Sequence, residues 1–388
     1  MSVRGRCTIL QRLLKLVRVE TRMISAIISL LSQHISHCLI RDRVQRKCNM
    51  NIKGSSRSAI EIISGHMALK WQRRPNGLYC FNYHRIGHAA DSEFDPNVFS
   101  CSEERFAQHL KLYKQDFDVV SIDELIALHI NRQKIKERLA VITFDDGYID
   151  NYLIAYPMLK SAGISAGFFV STDYIDKPET PWWDEVGWIV RHAEAKTVKL
   201  PHWSQPVNIA DGSIRMRVRR LLRAVKQDNS LGMTEKLTQL KQVLQLDSKH
   251  MPKPTDLFIN WAQLKEMADN GMHIGSHTLS HNILSHLSVE KQLIELAQSK
   301  QRLETMLNCN VSSVAYPVGG TDSFTQETQQ LVHQAGYQLA FSFMSGVNTD
   351  LSVNNRFQLR RFPIEEDASR WQLKQMVNRF FTLWTNEI

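Results

Sequence analysis

The chain of 388 residues is long enough for one large folded domain with an additional segment, and its hydrophobic fraction of 43% is ordinary for a globular protein. The most apolar run, residues 23–31, is shorter than the roughly 20 residues that a membrane-spanning helix needs. The net charge of +9 is uneven: residues 1–74 contain 15 Lys and Arg against 3 Asp and Glu, a net of +12, so residues 75–388 carry −3. Because the larger part is not basic, the composition argues against a nucleic-acid-binding protein.

Residues 1–74 are predicted to form a basic, partly helical N-terminal extension. Basic residues from Arg12 to Arg22 flank apolar positions, as in a helix that lies peripherally on an anionic membrane surface. The alternatives are a solvated tail, because charge runs are usually solvated, and a working chain that starts near Met50. We therefore expect a cytoplasmic protein, with peripheral contact at the inner face of the membrane as the alternative that this extension leaves open.

From residue 75 to 388, predicted strands and helices alternate, which is typical of a parallel α/β arrangement. The predicted strands lie at 78–83, 117–121, 139–144, 166–170, 272–275, 311–316, 337–342 and 359–364. The predicted helices lie at 59–72, 102–113, 122–128, 151–162, 261–271, 288–307, 325–335 and 371–383.

The alternation is interrupted at about 185–256. Helical spacing at 215–225 and 234–246 predicts a helical insertion over one rim of the main domain. A stripe of basic residues in this insertion is expected to be solvated, with binding to an anionic substrate or to lipid headgroups as the alternative. The stripe consists of Arg215, Arg219, Arg220 and Arg223.

Two adjacent carboxylates, Asp145 and Asp146, follow the buried apolar strand at 139–144. Ligands of parallel α/β barrels gather at the carboxyl ends of the strands, and a loop there lets both side chains reach one site. One carboxylate can then bind a metal while the other stays free as a general base.

Two histidines, His277 and His281, have the four-residue spacing of one face of a helical turn, which lets two imidazoles bind one cation. One Asp and two His leave coordination positions open for water and substrate, as in catalytic rather than structural metal sites. Each motif alone is common without a metal, but the two together predict a metal-dependent catalytic site.

These motifs and three further blocks resemble the polysaccharide deacetylases that share the NodB homology domain, carbohydrate esterase family 4, over about residues 78–370. The blocks are FNYHRIG at 81–87, TFDDG at 143–147, GSHTLSH at 275–281, AYPVGG at 315–320 and LRRFPI at 359–364. The first block is similar to the opening strand of exopolysaccharide-associated members. The resemblance implies a deformed (β/α) barrel of about seven parallel strands.

The resemblance also implies roles for individual residues. A divalent metal, with Zn²⁺ as the expected ion, would be bound by Asp146, His277 and His281, and Asp145 would be the catalytic base. The backbone N–H of Val318, after Tyr316 and Pro317, would be a second oxyanion donor. Trp183, predicted on the loop after the strand at 166–170, is expected to line the substrate site, with core packing as the alternative.

Two positions depart from the family pattern. Ala315 stands where many members have an arginine held against the base, and the block at 359–364 lacks the histidine that serves as general acid. Arg360 or Arg361 can supply the lost guanidinium, because alternation along a strand sends one of them inward. His84 is the best remaining candidate for an acid or a substrate contact, although a lone strand histidine is more often structural.

The expected activity is removal of N-acetyl groups from an N-acetylated sugar of a bacterial surface polysaccharide or its precursor. The alternatives are a deacylase of a non-sugar amide or an O-acetyl ester, and a catalytically silent glycan-binding protein, since a fold does not guarantee a function. The retained Asp145, Asp146, His277 and His281 argue against a silent protein, whereas Ala315 and the missing histidine keep that alternative open.

Overall fold

The computed structural model describes residues 68–384, except 131–133, 178, 253–255 and 353. The predicted N-terminal extension, and the helix predicted at 59–72, lie mostly outside the described residues. The part of the chain that is described contains no helix both long and apolar enough to cross a membrane.

The strands of the described residues are short apart from two long strands that pair with each other, Gly77–Tyr83 and Arg138–Asp146. In chain order they are β1 (Gly77–Tyr83), β2 (Arg85–Ile86), β3 (Phe99–Cys101), β4 (Asp118–Val119), β5 (Arg138–Asp146), β6 (Gly167–Val170), β7 (Thr197–Val198), β8 (Val207–Asn208), β9 (His273–Ser276), β10 (Ser313–Ala315), β11 (Leu339–Phe341) and β12 (Arg361–Pro363).

Seven parallel strands follow one another in the order β11-β10-β9-β6-β5-β1-β12, and β4 pairs with β5 outside this order. Phe341 of β11 forms a parallel bridge with Leu359, just before β12, so the two ends of the sheet approach each other. The result is a nearly closed barrel. The prediction of a deformed (β/α) barrel of about seven parallel strands is therefore confirmed.

Helices connect and cover these strands. They are α1 (Glu103–Asp116), α2 (Ile122–His129), α3 (Tyr156–Ala162), α4 (Thr172–Asp176), α5 (Trp182–His192), α6 (Ile214–Gln227), α7 (Met233–Val243), α8 (Trp261–Asp269), α9 (Val289–Leu307), α10 (Gln326–Gln334) and α11 (Arg370–Trp384). A π-helical turn, Asn151–Ala155, leads into α3.

The helix boundaries follow capping signals in the sequence. The Ser102 hydroxyl accepts from the backbone of Arg105 at the start of α1, and Ser121 with Glu124 forms a capping box at α2. Gly163, with a φ of 65°, ends α3 in the left-handed conformation that glycine favours. Such caps explain why the ends of these helices could be predicted to within a few residues.

The interior of the barrel is largely aromatic and aliphatic. Every residue of β1 is buried, and the stacked rings of Phe144 and Phe168, 4.9 Å apart, join β5 to β6. Burying one large apolar side chain contributes roughly 1.5–3 kcal/mol to folding. The apolar barrel strands thus give a rigid frame for the polar residues at their carboxyl ends.

The insertion between β6 and β9 contains α6 and α7, as its helical pattern predicts, together with α5 and an antiparallel hairpin of β7 and β8, which were not predicted. Its apolar side chains, including Trp188, Leu221 and Leu240, form a second buried cluster. The boundary between the extension and the main domain, at residues 74 and 75, and the bounds of the insertion, at about 185–256, stay predictions.

The prediction that Trp183 lies on a loop was wrong, because Trp183 and its neighbour Trp182 belong to the first turn of α5. Pro181 directly precedes this helix, and Asp184 and Glu185 lie in its first turn. Acidic residues there are stabilised by the helix dipole, and proline is well tolerated near a helix start.

Candidate active site

The two carboxylates Asp145 and Asp146 are the last residues of β5, and both are buried. Asp146 has a φ of 74°, and Gly147 follows with a φ of 79°. A Cβ on Gly147 would lie 2.7 Å from a methyl carbon of Val170, so the turn has no room for a side chain there. This sharp turn separates the two carboxylates while keeping both at the same end of the barrel.

The two histidines lie in the irregular segment that follows β9, so the prediction of a helical turn was wrong. Thr278 and His281 have φ values of 67° and 56°. Such left-handed conformations cost free energy outside glycine, and they tend to occur at functional sites. The four-residue spacing still brings the rings of His277 and His281 together, with their centroids 4.7 Å apart.

A carboxylate from α9 holds this strained segment. Glu295 accepts hydrogen bonds from the backbone N–H groups of Leu279 and Ser280, at 2.9 and 3.0 Å. Each bond to a charged acceptor contributes roughly 1.5–3 kcal/mol, which is enough to offset one unfavourable backbone conformation.

The predicted metal ligands converge. Oδ1 of Asp146 lies 3.4 Å from Nε2 of His277 and 3.4 Å from Nε2 of His281, and the three ligand atoms lie within 4.8 Å of one another. Ligand atoms around a tetrahedral zinc ion at roughly 2.0–2.1 Å are about 3.3 Å apart. The observed spacing therefore suits a small divalent cation.

The surroundings of these atoms also fit a cation. Nδ1 of His277 lies 2.8 Å from the carbonyl oxygen of Ala315, an interaction that leaves Nε2 available as a ligand. Oδ1 of Asp146 is buried without a hydrogen-bond partner among the described residues. Because a buried carboxylate oxygen without a donor is costly, a cation would stabilise this arrangement.

Burial and neighbouring charges shift the pKa values of the three predicted ligands in different directions. Burial alone would raise the pKa of Asp146, but the imidazoles of His277 and His281 outweigh burial and hold that pKa well below its usual range. Burial lowers the pKa of His281, which favours the neutral imidazole. Burial would do the same at His277, but the Asp146 and Asp145 carboxylates raise the pKa there.

Asp145 does not join the ligand set. Its two carboxylate oxygens accept from the guanidinium of Arg361 at 2.7 and 2.8 Å, and Asn82 donates to the second oxygen at 3.2 Å. Burial would raise the pKa of Asp145, but the charge of Arg361 outweighs burial and lowers it. Asp145 is therefore held ionised beside the predicted metal ligands.

Arg361 is fully buried on β12, whereas its neighbour Arg360 is exposed. This alternation places Arg361 inward, in the position expected for the guanidinium that Ala315 cannot supply. Its Nε donates to the carbonyl oxygen of Ser342 and one terminal nitrogen donates to Oδ1 of Asn82, both at 2.8 Å. The guanidinium is thus fixed on three sides.

A cavity of about 120 Å³ opens above these groups. All of the predicted site residues except Arg361 and Pro317 line it. His84 is among these lining residues, with its ring 5.7 Å from that of Phe343. Val318 lines the cavity with a φ of 64°, a rare conformation for a β-branched residue, and Tyr316 lines it while its hydroxyl donates to the carbonyl oxygen of Phe357.

Pro317 lies outside the lining and shapes the adjoining turn, since its carbonyl accepts from the backbone N–H of Gly319 at 2.6 Å. Trp183 is buried in the second apolar cluster and also lines the cavity, so its contact with substrate stays a prediction. Its ring lies 4.1 Å from that of His281 and lines the cavity, while its Nε1 donates to the hydroxyl of Tyr148 at 2.7 Å.

Three polar residues of this site were not predicted from the sequence. Asn82, which bonds to both Asp145 and Arg361, lies within the first family block and was the easiest to find. Asp95 and Lys226 line the cavity from segments that carry no motif. Only the fold brings these two to the metal site.

The sequence comparisons point to one protein family. The polysaccharide deacetylase family model matches residues 132–340. A Bacillus subtilis protein, putative polysaccharide deacetylase YxkH, is 24% identical over 286 residues, which are 74% of this chain and 69% of that protein. The Escherichia coli poly-beta-1,6-N-acetyl-D-glucosamine N-deacetylase is 29% identical over 104 residues, which are 26% of this chain but 15% of that protein.

Two solved structures share the fold. The Streptococcus pyogenes deacetylase PplD in complex with acetate has a TM-score of 0.50 at 19% identity, covering 78% of this chain and 99% of that one. The putative polysaccharide deacetylase BA0330 from Bacillus anthracis has a TM-score of 0.50 at 15% identity, covering 78% of this chain and 69% of that one.

Proposed function

Because this chain belongs to the polysaccharide deacetylase family, a family of hydrolases, we propose that it removes the N-acetyl group from an N-acetylated sugar of a bacterial surface polysaccharide or its precursor. The observation that carries the proposal is the convergence of Asp146, His277 and His281 next to the ion-paired Asp145 in one cavity. The Escherichia coli relative, named for N-deacetylation of a glucosamine polymer, supports an N-acetylated sugar as the substrate.

A divalent cation would be held by Asp146, His277 and His281, and when bound it would supply Lewis-acid polarisation of the acyl carbonyl and acidify a water. Zinc is the proposed ion, because two imidazoles and one carboxylate suit a borderline cation. The bond between Nδ1 of His277 and the carbonyl of Ala315 fixes the ring orientation that this ligand set needs.

Asp145 is proposed to accept the proton of the attacking water. A carboxylate has about four lone-pair sites, so the bonds from Arg361 and Asn82 leave it room to accept another. The lowered pKa of Asp145 keeps it ionised near neutral pH, at the cost of a weaker proton affinity. Arg361 is proposed to orient this base through its two parallel bonds.

The remaining predicted residues surround the acyl group. The backbone N–H of Val318 is proposed to stabilise the oxyanion, next to Tyr316 and Pro317, and a fixed donor of this kind needs no reorganisation during the reaction. His84, which lines the same cavity, is proposed to protonate the leaving amine, and Trp183 to contact the sugar.

The test is acetate release by the full chain, supplied with zinc, from three substrates: N-acetylglucosamine oligomers, an O-acetylated sugar and a non-sugar acetamide. The expected result is release from the oligomers at the highest kcat/KM. A higher kcat/KM on the O-acetyl ester or the simple amide would replace the proposal with the deacylase alternative. Stoichiometric zinc binding without turnover of any of the three would favour a silent glycan-binding protein.

A further inference from the structure

Lys226, on helix α6 of the insertion, places a positive charge at the active-site cavity. It is the penultimate residue of α6, and it lines the cavity around Asp146 as well as two cavities that adjoin it. Its Nζ lies 5.6 Å from the ring centre of Trp182, which lines the same cavity. A ligand bound in this cavity would therefore lie near the ammonium group.

Lys226 forms no ion pair with any described residue. The nearby carboxylates have other tasks: Oδ1 of Asp95 accepts from the backbone and the side-chain amide of Asn97, both at 2.8 Å, and Asp146 belongs to the predicted metal site. Their charges act on Lys226 only from a distance. A partly desolvated ammonium without a direct counter-ion is costly, and an anion in the cavity would lower that cost.

The basic stripe of α6 is not available as a whole to bind an anion in the cavity. Arg219 pairs with Glu365 and Glu366 at 2.9 and 3.1 Å, so its charge is already balanced. A lysine in the last turn of a helix also complements the helix dipole. That effect explains a positive charge near the end of α6, but it does not require the side chain to line the catalytic cavity.

We propose that Lys226 binds an anionic group, a phosphate or a carboxylate, on the acetylated sugar that this site deacetylates. The inference rests on the proposed function and narrows its substrate to an acidic N-acetylated sugar. A phosphate would come from an activated or carrier-linked precursor, and a carboxylate from an acidic sugar of the glycan. An ammonium group is a point charge and can bind either anion. The substrates of the test must therefore distinguish a phosphate from a carboxylate.

The test compares three N-acetylated sugars: neutral N-acetylglucosamine, N-acetylglucosamine 1-phosphate and the carboxylate-bearing N-acetylmuramic acid. Lys226→Met removes the charge and keeps the length of the side chain, and Lys226→Arg keeps the charge. Arg217→Met is the matched control, because Arg217 lies on α6 but outside the cavity. Circular-dichroism melting checks that each variant folds.

The expected result is a higher kcat/KM of the wild type on one of the two acidic sugars, and the preferred one identifies the source of the anion. Lys226→Met should lose at least about tenfold more kcat/KM on that sugar than on neutral N-acetylglucosamine, as expected for a lost bond to a charged group. Lys226→Arg should retain most of the preference, and Arg217→Met all of it. Equal losses on all three sugars, or no preference in the wild type, would overturn the inference.

A wild-type protein that releases no acetate would sink the proposed function but not decide this inference. Binding of N-acetylglucosamine 1-phosphate, followed through tryptophan fluorescence because Trp182 lies next to Lys226, then decides it. Weaker binding by Lys226→Met than by the wild type and Arg217→Met supports the inference. Equal binding by all three contradicts it.

Discussion

At the scale of single residues, the site separates two neighbouring carboxylates by their partners. Asp146 faces two imidazoles and Asp145 faces a buried guanidinium, although the two residues are adjacent in the chain. Their environments differ because the backbone turns sharply at Asp146, with a φ of 74°. This geometry leads to separate predictions for the ligands and for the base.

The first prediction concerns the ligands. His277→Ala should abolish both zinc binding and activity, because the two remaining ligands leave the cation with too few protein donors. Metal analysis of the dialysed protein, with melting as the control for folding, measures this. Stoichiometric zinc retained by the variant would show that the ligand assignment is wrong.

The second prediction concerns the base. Asp145→Asn should keep the metal but lose roughly 10²–10⁴-fold in kcat, the typical contribution of general-base assistance. Parallel measurements of zinc content and kcat on the same preparation check it. If the metal is lost as well, Asp145 is a ligand and the roles of Asp145 and Asp146 are misassigned.

The local pattern was enough to predict which residues of the motifs meet, but not how the backbone presents them. The prediction that either Arg360 or Arg361 points inward followed from strand alternation, and the structure places Arg361 inward. The prediction of a helical turn at His277 was wrong because the segment contains residues in the left-handed conformation. Glu295, which is distant in sequence, holds this segment through hydrogen bonds to its backbone. Lys226 was missed because only tertiary packing brings α6 to the cavity.

At the scale of elements, α5 links the insertion to the barrel through a buried polar cluster. Oδ1 of Asp184 accepts from the backbone N–H of Asp95 at 3.0 Å, and Oδ2 accepts from the hydroxyl of Tyr148 at 2.8 Å. Burial raises the pKa of Asp184 to about 7, with the Asp95 carboxylate adding to the shift and Arg85 opposing it. The start of α5 is thus fixed by a carboxyl group that resists ionisation.

The third prediction is a pH dependence of stability. The pKa of Asp184 is raised in the folded state, so ionisation of the unfolded chain from about pH 4 upwards favours unfolding until the folded carboxyl also ionises near pH 7. Ionisation of Asp184 should therefore lower the free energy of unfolding as the pH rises from 4 to 7, by about 1.4 kcal/mol for each unit of pKa shift.

Denaturant unfolding of the wild type and Asp184→Asn at pH 5 and pH 8 measures that dependence. The asparagine keeps an acceptor oxygen but cannot ionise, so the variant should lose less stability between the two pH values than the wild type. The same loss in both proteins would mean that Asp184 ionises with an ordinary pKa.

At the scale of the whole molecule, charge divides the chain into a basic segment and a catalytic part. Residues 1–74 carry +12, while residues 75–388 carry −3. Each Lys or Arg near an anionic membrane contributes about 1 kcal/mol, so several together are enough to hold a protein at such a surface. We propose that residues 1–74 provide this contact without taking part in catalysis.

The fourth prediction tests whether residues 1–74 bind the membrane without taking part in catalysis. A protein that starts at Met50 should keep its activity on soluble oligomers but lose salt-sensitive binding to vesicles that contain anionic lipids. Cosedimentation at low and high salt, with neutral vesicles as the control, measures the binding. If the full chain does not bind anionic vesicles even at low salt, the extension is a solvated tail.

The most direct test of the central claim is acetate release from N-acetylglucosamine oligomers before chelation, after chelation and after zinc is added back. If Asp146, His277 and His281 hold a catalytic metal, activity should disappear with the metal, return with about one zinc ion per chain, and not return in His277→Ala. Full activity of the metal-free protein would contradict it, because Asp146, His277 and His281 would then have no catalytic role.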